Sequence, residues 1–144
     1  MRALLDVNVL IALHDPQHVH HVLAIEAVES LRAGWATCPI TQNGCLRIMC
    51  QPAYSNPFTV REVAEALGTS LTSPSHQFWP DDVSLLDPGR VRLDHVHGHR
   101  QLTDLYLLTL AVHRGGCFLS FDARVALDAV PGAEPQHLQC LLPA

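Results

Sequence analysis

The 144-residue chain is predicted to be an α/β protein, a central and mainly parallel sheet covered by helices in an α/β/α sandwich. Three observations predict it. Short apolar runs, RALLD (2–6), WATCPI (35–40), CFLSF (117–121) and HLQCLL (137–142), are bounded by turn signals and read as strands. Between them lie stretches with apolar side chains at helical spacing. Strands that alternate with helices build a parallel sheet buried on both faces, which accounts for near-continuous apolar strands. A chain of this length is expected to fold as one domain, 1–144, with a core large enough to need no staples.

Taken in order, residues 2–6 form the first strand. A helix follows from about Asn8 to His14 and stops at Asp15-Pro16. Residues 17–33 carry Val19, Val22, Leu23, Val28 and Leu31 at roughly helical spacing, and Gly34 ends them. WATCPI is the second strand, and the Thr41 hydroxyl is placed to cap a helix running through Met49. Pro52 and Pro57 mark residues 51–58 as a turn-rich connection. Thr59 and Glu62 have capping-box spacing and open a helix through Leu67. Residues 72–82 hold two prolines and one short strand. Thr103 is read as the cap of an apolar helix from Asp104 to His113, closed by Gly115-Gly116. CFLSF is a buried strand, DARVALDAV (122–130) a short helix, and 137–142 the last strand.

Composition removes several classes of function. Hydrophobic residues make up 48% and charged ones 16%, a balance that supports a packed core and argues against disorder. The net charge of −5 rules against a generic polyanion binder. All nine basic residues are arginine; without lysine, neither Schiff-base chemistry nor a Walker A loop is available. No G-x-S-x-G or G-x-G-x-x-G is present. Five cysteines without a CxxC pair read as reduced thiols of a cytoplasmic protein. Asp6 and Asn8 interrupt the first apolar run, so no signal peptide is expected, and no stretch is long enough to span a bilayer.

Asp6 itself demands an explanation, because a carboxylate inside an apolar run costs several kcal/mol unless it is paired. Asp6 ends the first strand, Asp122 follows CFLSF, and Asp104 begins a helix. In open α/β sheets the ligand crevice lies beyond the carboxyl ends of the strands. Three anions converging there raise one another's pKa values, and a divalent cation with all-oxygen ligation, Mg²⁺ or Mn²⁺, relieves the repulsion. Each acid also has a local use to weigh: Asp122 as a helix cap, Asp104 as a favourable charge at a helix N-terminus. Their coincidence at equivalent positions carries the argument.

Four blocks in order, LLDVNVLIAL, PITQNGCLRIM, HRQLTDLYLLTLA and FLSFDARV, resemble the PIN-domain ribonucleases, specifically VapC-type toxins of toxin–antitoxin modules. The resemblance spans Leu4 to Val125 and implies a PIN-like sandwich. It places the family's first acid on Asp6, with Asn8 two residues on, the third on Asp104 and the fourth on Asp122. The second, usually a glutamate after the Thr of the second block, falls on Gln42 beside Thr41. An amide there ligates without charge and is no general base; Asn43 either orients a ligand or caps the helix. The implied chemistry is metal-assisted hydrolysis of RNA phosphodiesters, in tRNA or ribosomal RNA. A small VapB-type antitoxin and a homodimer are the implied partners. A catalytically degenerate PIN-like module that binds RNA or protein is the alternative, with Gln42 as its trace.

Arg47, Arg100 and Arg124 are the candidate phosphate contacts, against a plainer use as surface ion pairs. The tracts HDPQHVHH (14–21) and HVHGH (95–99) raise a structural zinc site as a competing reading, although no H-E-x-x-H signature accompanies them. Phosphatases of the haloacid-dehalogenase type and receiver domains both require a lysine that this chain lacks.

Overall fold

The computed structural model describes residues 1–142. Five strands, β1 (Ala3–Leu5), β2 (Trp35–Thr37), β3 (His76–Phe78), β4 (Cys117–Ser120) and β5 (Leu138–Cys140), form one sheet in the order β3-β2-β1-β4-β5. Every neighbouring pair is parallel, with Leu4 opposite both Ala36 and Phe118. Five helices accompany them: α1 (Val7–His14), α2 (His21–Glu29), α3 (Pro39–Met49), α4 (Val60–Ser70) and α5 (Leu102–His113).

Period-2 alternation along the strands splits the core in two. Leu4, Ala36 and Phe118 face α5, packing on Leu105, Leu107 and Leu108. Ala3, Leu5, Trp35, Cys117 and Leu119 face the other way, onto α1 to α4. The expected sandwich with both faces covered is therefore present. Because all strands run parallel, their carboxyl ends share one edge, and the segments leaving β1 and β4 emerge side by side there. Among the described residues no helix is long and apolar enough to cross a membrane.

Several local expectations are corrected. Thr41 does not cap α3; the helix starts three residues earlier than that cap would set it, at Pro39, with Cys38 as N-cap. Proline suits the first turn because its missing N–H is not needed there. The fully buried Thr41 hydroxyl instead accepts from the Cys38 N–H at 3.0 Å, so it has no access to a ligand. Thr103 likewise caps nothing, since α5 begins at Leu102 straight from a 3₁₀ turn over His99–Gln101. Residues 122–130 are not a helix but a loop with one 3₁₀ turn at Leu127–Ala129, stapled by Arg92 N–H to Ala129 O at 2.7 Å. The helix expected over 17–33 shrinks to His21–Glu29, while the capping box on Thr59 and Glu62 is present and its helix runs on to Ser70.

Gly44 explains how α3 comes so near α1. A Cβ at that position would stand 2.7 Å from Cγ2 of Val7, the residue next to Asp6. Alanine gains about 1 kcal/mol of helix propensity, but overpacking costs typically 1–3 kcal/mol. Gly44→Ala is therefore expected to lower stability in urea unfolding, and adding Val7→Ala to restore part of the loss. A Gly44→Ala protein as stable as wild type would mean that the helices can part freely.

Candidate active site

At the shared carboxyl edge Asp6 caps α1, its Oδ1 accepting from the Val7 N–H at 2.7 Å and its Oδ2 from the Ser120 hydroxyl at 2.6 Å. Its own N–H continues the sheet ladder to Leu119 O at 2.9 Å. The carboxyl group is only 6% exposed. Burial pushes its pKa up to about 6, and the charges of Asp104 and Asp122 push in the same direction against the Ser120 and Val7 hydrogen bonds. Asp104, in the first turn of α5, is half-buried and also raised, first by desolvation and then by Asp122. Asp122 moves the other way: Arg124 holds it below the usual carboxylate range. The three acids thus come from the ends of β1 and β4 and from the start of α5.

Asp6 and Asp104 line a cleft of about 440 Å³ together with Asn43, Gly44, Arg47 and Thr103. Asp104 also borders an adjoining hollow of about 290 Å³ formed with Arg100, Gln101, Asp122 and Arg124. The arginines singled out from the sequence therefore flank the acids. Asn8 reaches across to β4, its Oδ1 3.4 Å from the Phe121 N–H and its amide nitrogen 3.4 Å from the Ser120 hydroxyl. It ties the two strand ends together. Gln42, where the family resemblance puts the second acid, turns aside and donates to Thr37 Oγ1 at 2.9 Å. The amide that lines the cleft is Asn43, one residue on.

Ser120 was not singled out from the sequence. It is fully buried, donates to Asp6 and accepts from the Asp122 N–H at 3.0 Å, so one hydroxyl positions both strand-end acids. A serine inside CFLSF, two residues before an acid, was the available signal: a buried hydroxyl needs a partner.

The histidine tracts are spent on packing. His14 bonds Leu10 O (2.8 Å) and Ser70 Oγ (2.6 Å), His21 bonds Ala12 O (2.7 Å), and His95 bonds Asp128 (3.0 Å). His18 stacks on Phe121 with ring centres 6.4 Å apart. His14, His18, His21 and His95 are thus engaged within the fold, and the tracts present no ligand set for zinc among the described residues. As they stand, no three His, Cys, Asp or Glu among the described residues are gathered as a ligand set. For the three acids the donor chemistry nevertheless suits a hard cation, because two of them are lifted by burial and then by neighbouring negative charge, and a cation favours the ionised form against both. Asp122 is the one held elsewhere, by Arg124.

A parallel five-stranded sheet that brings acids to its carboxyl edge fits the PIN-type α/β domain that the sequence blocks resemble. Comparison with known proteins goes further. No family model matches the chain. Ribonuclease VapC44 of Mycobacterium tuberculosis is 46% identical over 142 residues, covering 98% of this chain and 100% of that one. Ribonuclease VapC39 of the same organism is 43% identical over 134 residues, covering 92% and 96%. The crystal structure of VapC20, described as a sarcin-ricin loop cleaving toxin of M. tuberculosis, shares the fold with a TM-score of 0.59 at 12% identity, over 79% of this chain and 84% of its own. The chain belongs to the VapC family of ribonucleases, the toxin class its motifs resemble.

Asp6 sets a pH dependence. Its unfolded pKa is near 3.8, so between there and about 6 the folded chain binds more protons than the unfolded one. Stability therefore falls as pH rises through that window, by about 3 kcal/mol in all. Without added metal, Asp6→Asn is expected to stabilise the protein at pH 8 and to leave it unchanged at pH 4. Urea midpoints at the two pH values check this, and a loss of stability at pH 8 would contradict it.

Proposed function

We propose that this VapC ribonuclease cuts RNA with Asp6, Asp104 and Asp122 as catalytic residues that hold Mg²⁺ or Mn²⁺. The observation that carries the reading is the placing of three carboxylates from separate elements, the ends of β1 and β4 and the start of α5, around adjoining hollows, with Asp6 buried and its ionisation held back by that burial. Bound there, the cation supplies Lewis-acid charge against the developing phosphorane oxygens and lowers the pKa of a water. Asp6, fixed by Ser120 and Val7, gives a ligand oxygen of set direction. The water's proton is assigned to Asp104, a reading its half-buried carboxyl and raised pKa support. Asn43 in the cleft and Arg47 and Arg100 at its margin orient the backbone, offsetting the chain's net negative charge at the point of contact.

The substrate is structured RNA, tRNA or ribosomal RNA; VapC20 supports the second only as a relative in fold. An acidic crevice attracts a basic peptide, so the partner is a small VapB-type antitoxin whose cationic residues enter the cleft. The working protein is a cytoplasmic homodimer.

The test is cleavage of total tRNA and of ribosomal RNA with Mg²⁺, Mn²⁺ or EDTA. Wild type is expected to cut one class in either metal and neither in EDTA. Asp6→Asn and Asp104→Asn are expected to lose on the order of a hundredfold or more. Gln42→Glu is expected to change the rate little, since residue 42 points at Thr37. If every protein leaves all RNAs intact while still binding RNA or a partner, the chain is a binding module that has lost catalysis.

A further inference from the structure

Asp122 is occupied. Both of its oxygens face the Arg124 fork, Nε to Oδ1 and Nη2 to Oδ2, each at 3.0 Å, and the Arg124 N–H adds a bond to Oδ1 at 2.8 Å. On its other side the Asp122 N–H is fixed by Ser120. The carboxylate is thus rigidly placed, whereas the Arg124 side chain is 89% exposed and free to swing into solvent. Its charge is felt beyond Asp122, since it also lowers the pKa of Asp104 against the desolvation that raises it.

We infer that Arg124 is a built-in counterion of the acidic site: it closes on Asp122 while the site is empty of metal and is displaced when a divalent cation binds. The inference rests on the metal-binding reading above and adds a regulatory residue to it. Cation and guanidinium compete for the same two oxygens. A fork that matches a carboxylate in two bonds is the strongest such rival a side chain offers. Loading the site therefore costs the energy of that pair, and cation affinity is set partly by residue 124. Displacement also leaves a guanidinium beside Arg100 at the mouth of the hollow, two cations that suit a phosphate of the substrate.

An exposed arginine two residues from an acid also weakens cation binding merely through its field, so the test separates field from competition. Mn²⁺ dissociation constants are measured, from the electron paramagnetic resonance signal of free Mn²⁺, for wild type, Arg124→Gln, Asp122→Asn and the double variant. Arg124→Gln is expected to tighten binding about two- to fivefold, the scale on which an exposed pair competes. In the Asp122→Asn background the same change is expected to tighten binding clearly less, since only the field of Arg124 at Asp104 remains. Arg124→Lys, which keeps the charge and loses the fork, is expected to tighten binding as well. Equal tightening in both backgrounds, or none in either, overturns the counterion and leaves the metal site standing. Absence of Mn²⁺ binding in all the proteins overturns both. Arg124 packs against nothing else, so melting temperatures of its variants should match wild type.

Discussion

The structure turns on one buried carboxylate. Asp6 sits where β1 passes into α1, between the Val7 amide and the Ser120 hydroxyl, and has almost no water to share its charge. Everything that holds it also sets the site. The parallel register of β1 and β4 puts Ser120 beside it, Asn8 ties α1 to the turn after β4, and the missing side chain at Gly44 lets α3 close the cleft. Two hydrogen bonds do not offset the cost of burial plus two neighbouring anions, since the group still ionises late. A residue kept against stability in this way is what the proposed catalytic role of Asp6 calls for.

Charge is balanced locally and not across the molecule. Net charge is −5, yet three of the nine arginines, Arg47, Arg100 and Arg124, stand around the acids. On the proposed function they would give a polyanion a route to an otherwise repulsive cleft. The histidines and cysteines take no part in this. Burial pushes the Cys38 thiol up to about 11 and the Cys45 thiol up to about 12, values at which neither is a nucleophile or a ligand at neutral pH.

Much of the arrangement could be read from sequence because it rests on short-range patterns. The apolar runs of β1, β2 and β4 and the helical spacing of α1 and α5 survive folding almost unchanged, and strand-end acids follow from parallel topology alone. Boundaries set by side-chain hydrogen bonds were harder. Thr41 looked like a cap but serves as the returning partner of Cys38, because proline at position 39 moved the helix start. DARVALDAV carries a helical pattern, yet backbone bonds to the 90–96 loop hold its end in a single 3₁₀ turn. Which of Gln42 and Asn43 faces the cleft depends on the rotation of α3, set by its contact with Val7. Ser120 acts through a partner 114 residues away, and no local pattern reports that.

Diffraction from crystals soaked in Mn²⁺, recorded where manganese scatters anomalously, would locate the cation. One anomalous peak bounded by Asp6, Asp104 and Asp122 is expected, with the Arg124 side chain swung off Asp122. A cleft without a peak at saturating Mn²⁺, or manganese bound only among the histidines, would contradict it.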